Sequence, residues 1–162
     1  MAVLALPIEE PGLVAQPVYD EMFRVLLPVA SSLCSHKKIT AEDLVGDQLL
    51  MLGPGNCFRD QVLDLCARAE AGASPHILEG SSLETIRHMV ASGVGMTVMP
   101  ASAVDGIEAR DPLLRVRPFA DPQPTRRVGL VWRNSFPRFQ AIDILRKAVI
   151  GSKLPGTRTV TR

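Results

Sequence analysis

Gln48-Leu-Leu-Met-Leu52-Gly53-Pro-Gly-Asn56-Cys57-Phe-Arg-Asp-Gln-Val-Leu-Asp-Leu-Cys66 is the segment on which the reading of this chain turns. Residues 48–52 have the apolar run of a buried strand, and Gly53-Pro54-Gly55 stops any regular element behind it. Phe58, Val62, Leu65, Cys66 and Ala69 then recur at the i, i+4, i+7, i+8 spacing of one buried helical face. Asn56 stands where an N-cap is expected. Strand, glycine turn and helix make the opening half of an α/β crossover.

The two cysteines of this helix are nine positions apart. At about 1.5 Å rise per residue an intact helix separates their Cα atoms by roughly 13 Å, on opposite faces. A disulfide tolerates no more than about 7 Å. Cys57 and Cys66 are therefore either helical or bonded, which outlines a redox switch around a bistable element. The two sulfurs also differ. Cys57 falls at about the first helical residue, where free backbone N–H groups and the positive end of the dipole favour a thiolate, and Arg59 is near in sequence. Cys66 belongs to the apolar stripe. One thiol is placed to meet an oxidant and the other to resolve a sulfenic acid. The opposing reading is that both are small apolar residues of a core helix, a common place for free cysteine. Spacing alone leaves both open.

Outward from this segment, apolar runs alternate with helical patterns. Extended runs are expected at residues 2–6, 13–18, 22–27, 76–79, 95–99, 113–116 and 128–132. Short helices are expected at 29–35 and, behind a Thr40/Asp43 capping box, at 40–45. A longer helix starts at Ser81 or Ser82, with Glu84 closing a box on Ser81 and Leu83, Ile86, Met89 and Val90 facing inward. Residues 136–150 read as a last helix and 151–162 as a disordered tail. The alternation predicts an α/β fold with mainly parallel strands.

The run from Leu49 to Cys66 resembles the sensing segment of the peroxide-responsive LysR-type transcriptional regulators. The likeness continues through His76, Ser82-Leu-Glu-Thr-Ile-Arg87, Met89-Val-Ala-Ser-Gly-Val-Gly-Met-Thr-Val-Met-Pro100 and Arg126-Arg-Val-Gly-Leu-Val-Trp-Arg133. The Cys-x-Arg-Asp-Gln run with a second cysteine nine residues on is the specific part. The resemblance implies that Cys57 is the peroxidatic residue and Cys66 its resolving disulfide partner, with Asn56, Arg59, Asp60, His76 and Arg126 supporting the switch. Asn56 departs from the family, which often carries histidine there; asparagine donates a hydrogen bond but does not shuttle a proton.

The resemblance also implies a periplasmic-binding-protein-like regulatory domain. Residues 21–127 are expected to form one complete subdomain carrying the switch. Residues 1–20 are expected to be a remnant of the other, and 128–162 the return to it with a tail. That remnant is expected to expose apolar surface. The implied partners are hydrogen peroxide as effector, a dithiol reductant and further copies of the chain, as dimer or tetramer. Promoter DNA and RNA polymerase are implied only for a full-length regulator. Two other classes compete. One is a small-molecule effector domain of an ordinary LysR-type regulator or a solute-binding protein, for which the cysteine pair has no purpose. The other is a thiol peroxidase, for which no CxxC or second catalytic constellation is present.

Composition agrees with a sensor. Apolar content of 46% is ordinary for a globular α/β chain, and a formal charge of +1 argues against a strongly basic nucleic-acid surface. No apolar run suits a membrane span, and the N-terminus lacks a signal-peptide pattern. Three cysteines without a framework suit a reducing cytoplasm. The gaps among Cys57, Cys66 and His76 do not match structural zinc, so neither metal nor cofactor is expected. Cys34 fits no part of the switch, and Ser81, Ser82 and Thr85 read as helix capping rather than an anion site. The near-neutral charge and the lack of a helix-turn-helix pattern predict no promoter-specific binding by this chain alone. A gel-shift assay checks this, and a sequence-specific shift that survives added salt would refute it.

Overall fold

A computed structural model describes residues 1–67 and 76–160. The strands in chain order are β1 (Ala2–Leu6), β2 (Leu13–Pro28), β3 (Gln48–Leu52), β4 (His76–Gly80), β5 (Met96–Pro100), β6 (Leu114–Pro118), β7 (Thr125–Arg133) and β8 (Thr157–Thr159). The helices are α1 (Cys57–Ala67), α2 (Leu83–Ala91), α3 (Ala101–Val104) and α4 (Phe139–Gly151). The chain divides into two compact units, Met1–Met22 with Thr125–Arg162, and Phe23–Pro124. The second unit begins two residues after and ends three residues before the bounds 21–127 expected for one subdomain. The pairs Asp20↔Arg127, Glu21↔Arg126 and Met22↔Thr125 continue the first unit's β2–β7 ladder up to the boundary.

In the unit Phe23–Pro124 the strand order is β6, β2, β5, β3, β4. Its sheet is covered on both sides, and alternation along each strand decides which residue faces which helix. Phe23, Val25, Leu27, Leu49, Met51, Met96 and Val98 join one cluster with Phe58, Val62 and Cys66 of α1. Leu26, Leu50 and Met99 point the other way and pack with Ile86 and Val90 of α2 and Val104 of α3. Thr97 is the buried polar residue of this sheet, and its hydroxyl donates to the Leu50 carbonyl at 2.7 Å.

The other unit pairs β1, β7 and β2 in that order, all antiparallel. Val18, Leu130, the lone tryptophan Trp132 and Ile142 of α4 form its core. Met1, Val3, Leu4, Leu13, Val14, Phe139 and Ile144 are exposed apolar residues of this unit. A cleft of about 350 Å³ opens between Val14, Pro17, Trp132, Phe139 and Ile142.

Several expectations need correction. Strands are not mainly parallel: among the described residues only β3–β4 and β3–β5 are, and the other five pairings are antiparallel. Parallel neighbours need helical crossovers, which only α1 and α2 supply; β2 meets all its partners antiparallel. Residues 13–18 and 22–27 are one continuous strand, β2, whose register shifts between Pro17 and Tyr19. Residues 29–35 contain only the 3-10 turn Ser32–Ser35. Ser82, not Ser81, caps α2 by accepting the Thr85 N–H at 3.1 Å, and Glu84 pairs with Arg87 instead. The last helix starts at Phe139, past Pro137. The tail is not structureless: Thr157–Thr159 pairs with β2 at Tyr19, Asp20 and Glu21. Ala69 lies outside the described residues. No helix is long and apolar enough to cross a membrane among the described residues.

The β3–β5 approach rests on Gly95, where a Cβ would sit 2.4 Å from the Gln48 carbonyl oxygen. Gly95→Ala should cost about 1–3 kcal/mol, the usual range for overpacking. Gly46→Ala, with open space around it, should stay within about 0.5 kcal/mol. Urea unfolding of both variants measures the difference.

Candidate functional site

The site is built where β3 ends and α1 begins. The turn between them passes through Gly55 at φ +86°, a conformation glycine adopts without strain. The side-chain amide of Asn56 donates to the Gly53 carbonyl at 3.0 Å, and the Asn56 backbone carbonyl accepts the Asp60 N–H at 3.4 Å. Asn56 thus braces the turn that delivers Cys57. Cys57 is the first residue of α1 and its free thiol is exposed. The next residue, Phe58, is buried, with its ring edge-on to Phe23 at 5.4 Å between centroids.

One helical face then carries Val62 and Cys66 into the same cluster. Cys66 is 7% exposed, and burial pushes its thiol above the ordinary cysteine range. Both cysteines are free. Since α1 is an unbroken helix over Cys57–Ala67, their Cα atoms stand roughly 13 Å apart. The exposed sulfur is at the helix start, and the buried one is beyond disulfide reach.

The remaining candidates fall in different places. Arg59 turns away from the helix: its Nη1 donates to the Leu52 carbonyl at 2.7 Å and to Glu79 Oε1 on β4 at 2.8 Å. Asp60 is exposed in the first turn, where a carboxylate suits the helix dipole. His76 opens β4 and is exposed, in register with Gln48, whose amide donates to the His76 carbonyl at 2.7 Å. It therefore sits at the far end of the parallel β3–β4 pair from Leu52 and the turn into Cys57. Four residue steps of strand, roughly 13 Å, lie between those ends. Pro75 before it is outside the described residues. Arg126 belongs to the other unit, where it pairs with the fully buried Glu21 at 2.7 Å.

Cys34 is half-buried, its thiol directed at the Pro28 carbonyl at 3.3 Å, and burial raises it too. Ser81 and Ser82 share hydroxyl hydrogen bonds with Thr85 at 3.3 and 3.0 Å, consistent with capping. Among the described residues no group of three or more His, Cys, Asp or Glu is placed to hold a metal ion. Sequence reasoning missed Glu79 and Phe23. The Glu79 contact depends on the β3–β4 register, and Phe23 lies thirty-five positions from its partner Phe58.

Residues 1–150 match the family described as the LysR substrate-binding domain. The chain belongs to that family. A probable hydrogen peroxide-inducible genes activator from Mycobacterium avium is 41% identical over 137 residues, covering 85% of this chain and 44% of that protein. The reduced form of the OxyR regulatory domain from Pseudomonas aeruginosa is 44% identical with a TM-score of 0.81, covering 91% of this chain and 70% of that one. A reduced form of OxyR from Neisseria meningitidis is 38% identical with a TM-score of 0.85, covering 98% and 73%. This chain thus has the periplasmic-binding-protein-like α/β architecture of LysR-type regulatory domains. It spans about half the length of the curated relatives it matches.

Exposure and burial predict an order of thiol reactivity. With native protein at pH 8, iodoacetamide should modify Cys57 at least about tenfold faster than Cys34 or Cys66, whose thiols burial keeps protonated. Peptide mass spectrometry over a time course reads the order, and loss of it in urea shows that the fold imposes it.

Proposed function

We propose that this chain is the redox-sensing regulatory domain of a hydrogen-peroxide-responsive LysR-type transcription factor, switched by a reversible Cys57–Cys66 disulfide. The observation that carries the reading is the contrast between an exposed thiol at the first residue of α1 and a buried thiol nine residues on. The kinship to peroxide-inducible activators supports it.

The chemistry has two steps. The Cys57 thiolate attacks one peroxide oxygen, the O–O bond breaks, and the departing hydroxide takes a proton to leave as water. Cys57 is then a sulfenic acid. The Cys66 sulfur attacks the Cys57 sulfur, the S–O bond breaks, and a second water leaves. Two thiols and one peroxide become one disulfide and two waters. A dithiol returns the domain to its starting state by exchange. Asn56 supplies no proton in this scheme; its amide holds the turn. Arg59 and Asp60 act on the helix start. His76 supports β4, and Arg126 supports the β2–β7 ladder of the other unit.

Closing the gap requires unwinding at least the first two turns of α1. Unwinding removes Phe58 and Val62 from the core, each costing on the order of 1.5–3 kcal/mol if fully exposed. The oxidised form is therefore strained and readily reduced. In the full-length regulator, a dimer or tetramer in the cytoplasm, the remodelled segment alters subunit arrangement. Promoter DNA and RNA polymerase are engaged only there.

The test combines trapping with exchange. Cys57→Ser should abolish peroxide-driven disulfide formation, and Cys66→Ser should leave a sulfenic acid at Cys57 that dimedone labels. Labelling that follows Cys34 would sink the assignment. In hydrogen exchange, residues 58–65 should lose protection on oxidation. Equal protection in both states, with the disulfide confirmed, would show that the helix is not the moving part.

A further inference from the structure

We propose that the ion pair of Arg59 with Glu79, together with the Arg59 bond to the Leu52 carbonyl, is a latch that holds the reduced state and sets how easily Cys57 reaches Cys66. This rests on the disulfide switch proposed above and adds the group that sets its poise.

Arg59 lies two residues after Cys57, inside the ring that a Cys57–Cys66 disulfide closes. Its guanidinium is not free to follow the backbone. One nitrogen, Nη1, is shared between the last carbonyl of β3 at 2.7 Å and a carboxylate oxygen of Glu79 on β4 at 2.8 Å. The first turn of α1 is thereby pinned to two neighbouring parallel strands. Glu79 stands opposite Met51 in the β3–β4 register, one step from the paired ends Leu52 and Gly80. Phe58 holds the same turn from the core side. Any path that carries Cys57 toward Cys66 by unwinding this turn displaces Arg59 and breaks both polar ties.

The ties are unequal in character. The Arg59 side chain is 15% exposed and that of Glu79 is 49% exposed. The ion pair is therefore open to screening, while the bond to the Leu52 carbonyl is partly shielded. The latch is weaker at high ionic strength, so the ratio of oxidised to reduced protein rises with salt. Glu79 lies on β4 and its carboxylate bonds Arg59, so removing its charge by Glu79→Gln keeps the backbone that carries both thiols.

The experiment is a redox titration of the purified chain against a glutathione buffer, reading the Cys57–Cys66 disulfide by mass spectrometry after acid quench. Glu79→Gln should raise the oxidised-to-reduced equilibrium constant about two- to fivefold, the range for loss of a solvent-exposed charge pair. Between low and high salt the native chain should show a rise that Glu79→Gln lacks, a dependence that a purely packing role would not produce. Arg59→Lys keeps a cationic donor and should recover part of the native value, whereas Arg59→Ala should exceed Glu79→Gln. Glu84→Gln, which breaks the exposed pair with Arg87 on α2, should leave the equilibrium unchanged. A disulfide that forms with the same equilibrium constant in Glu79→Gln and the native chain overturns the latch alone. It would place the unwinding at the Cys66 end. Absence of any disulfide in the native chain overturns the switch and the latch together.

Discussion

The packing of one face of α1 against one side of the sheet governs this molecule. Phe58, Val62 and Cys66 lie on that face, and Phe23, Val25, Leu49 and Met51 receive them. Burial there is what keeps residues 57–67 helical, since an isolated helix of this length is marginal in water. The same burial separates the sulfurs. A residue list that favoured proximity, nine positions along one segment, becomes a geometry that forbids it. Helical order and covalent bonding compete for the same backbone, and the apolar face biases the competition toward order until an oxidant supplies the opposing free energy.

Polar groups decide the finer detail around that face. Asn56 and Arg59 hold the turn and the first helical residues from outside, through carbonyls at the end of β3. In the other unit Glu21 is fully buried, and the Arg126 guanidinium offsets the cost of burying its charge. The role of both arrangements is to make the backbone at each place the stable choice.

The βα unit at residues 48–66 was legible in the sequence because every signal there is local: an apolar run, a glycine turn, a helical stripe. The paired roles of Cys57 and Cys66 were suggested by spacing and sharpened by family likeness. Strand direction was not legible, because alternation of apolar and polar residues is the same for parallel and antiparallel neighbours. The continuity of β2 was hidden by Tyr19, Asp20 and Glu21, which break the apolar run yet stay in the strand by pairing with β7, where Arg127 and Arg126 meet the two carboxylates. The segment 151–162 carries the glycine, proline and charge of a loop. Its pairing with Tyr19–Glu21 depends on a strand some 140 positions earlier. Glu79 was invisible for a related reason: an exposed glutamate on a short strand gains meaning only once β3 and β4 are placed side by side.

Trp132 has a consequence for how such a domain can be observed. It is the only tryptophan in the chain, is nearly buried, and packs with Val18, Leu130 and Ile142 in the unit that lacks Cys57 and Cys66. Its emission is therefore an intrinsic optical probe of that unit's core alone. A chromophore placed on α1 would report on the thiol-bearing segment itself. Recorded together on one sample, the two signals separate an event confined to a single helix from one that propagates along the chain, and give the time interval between them.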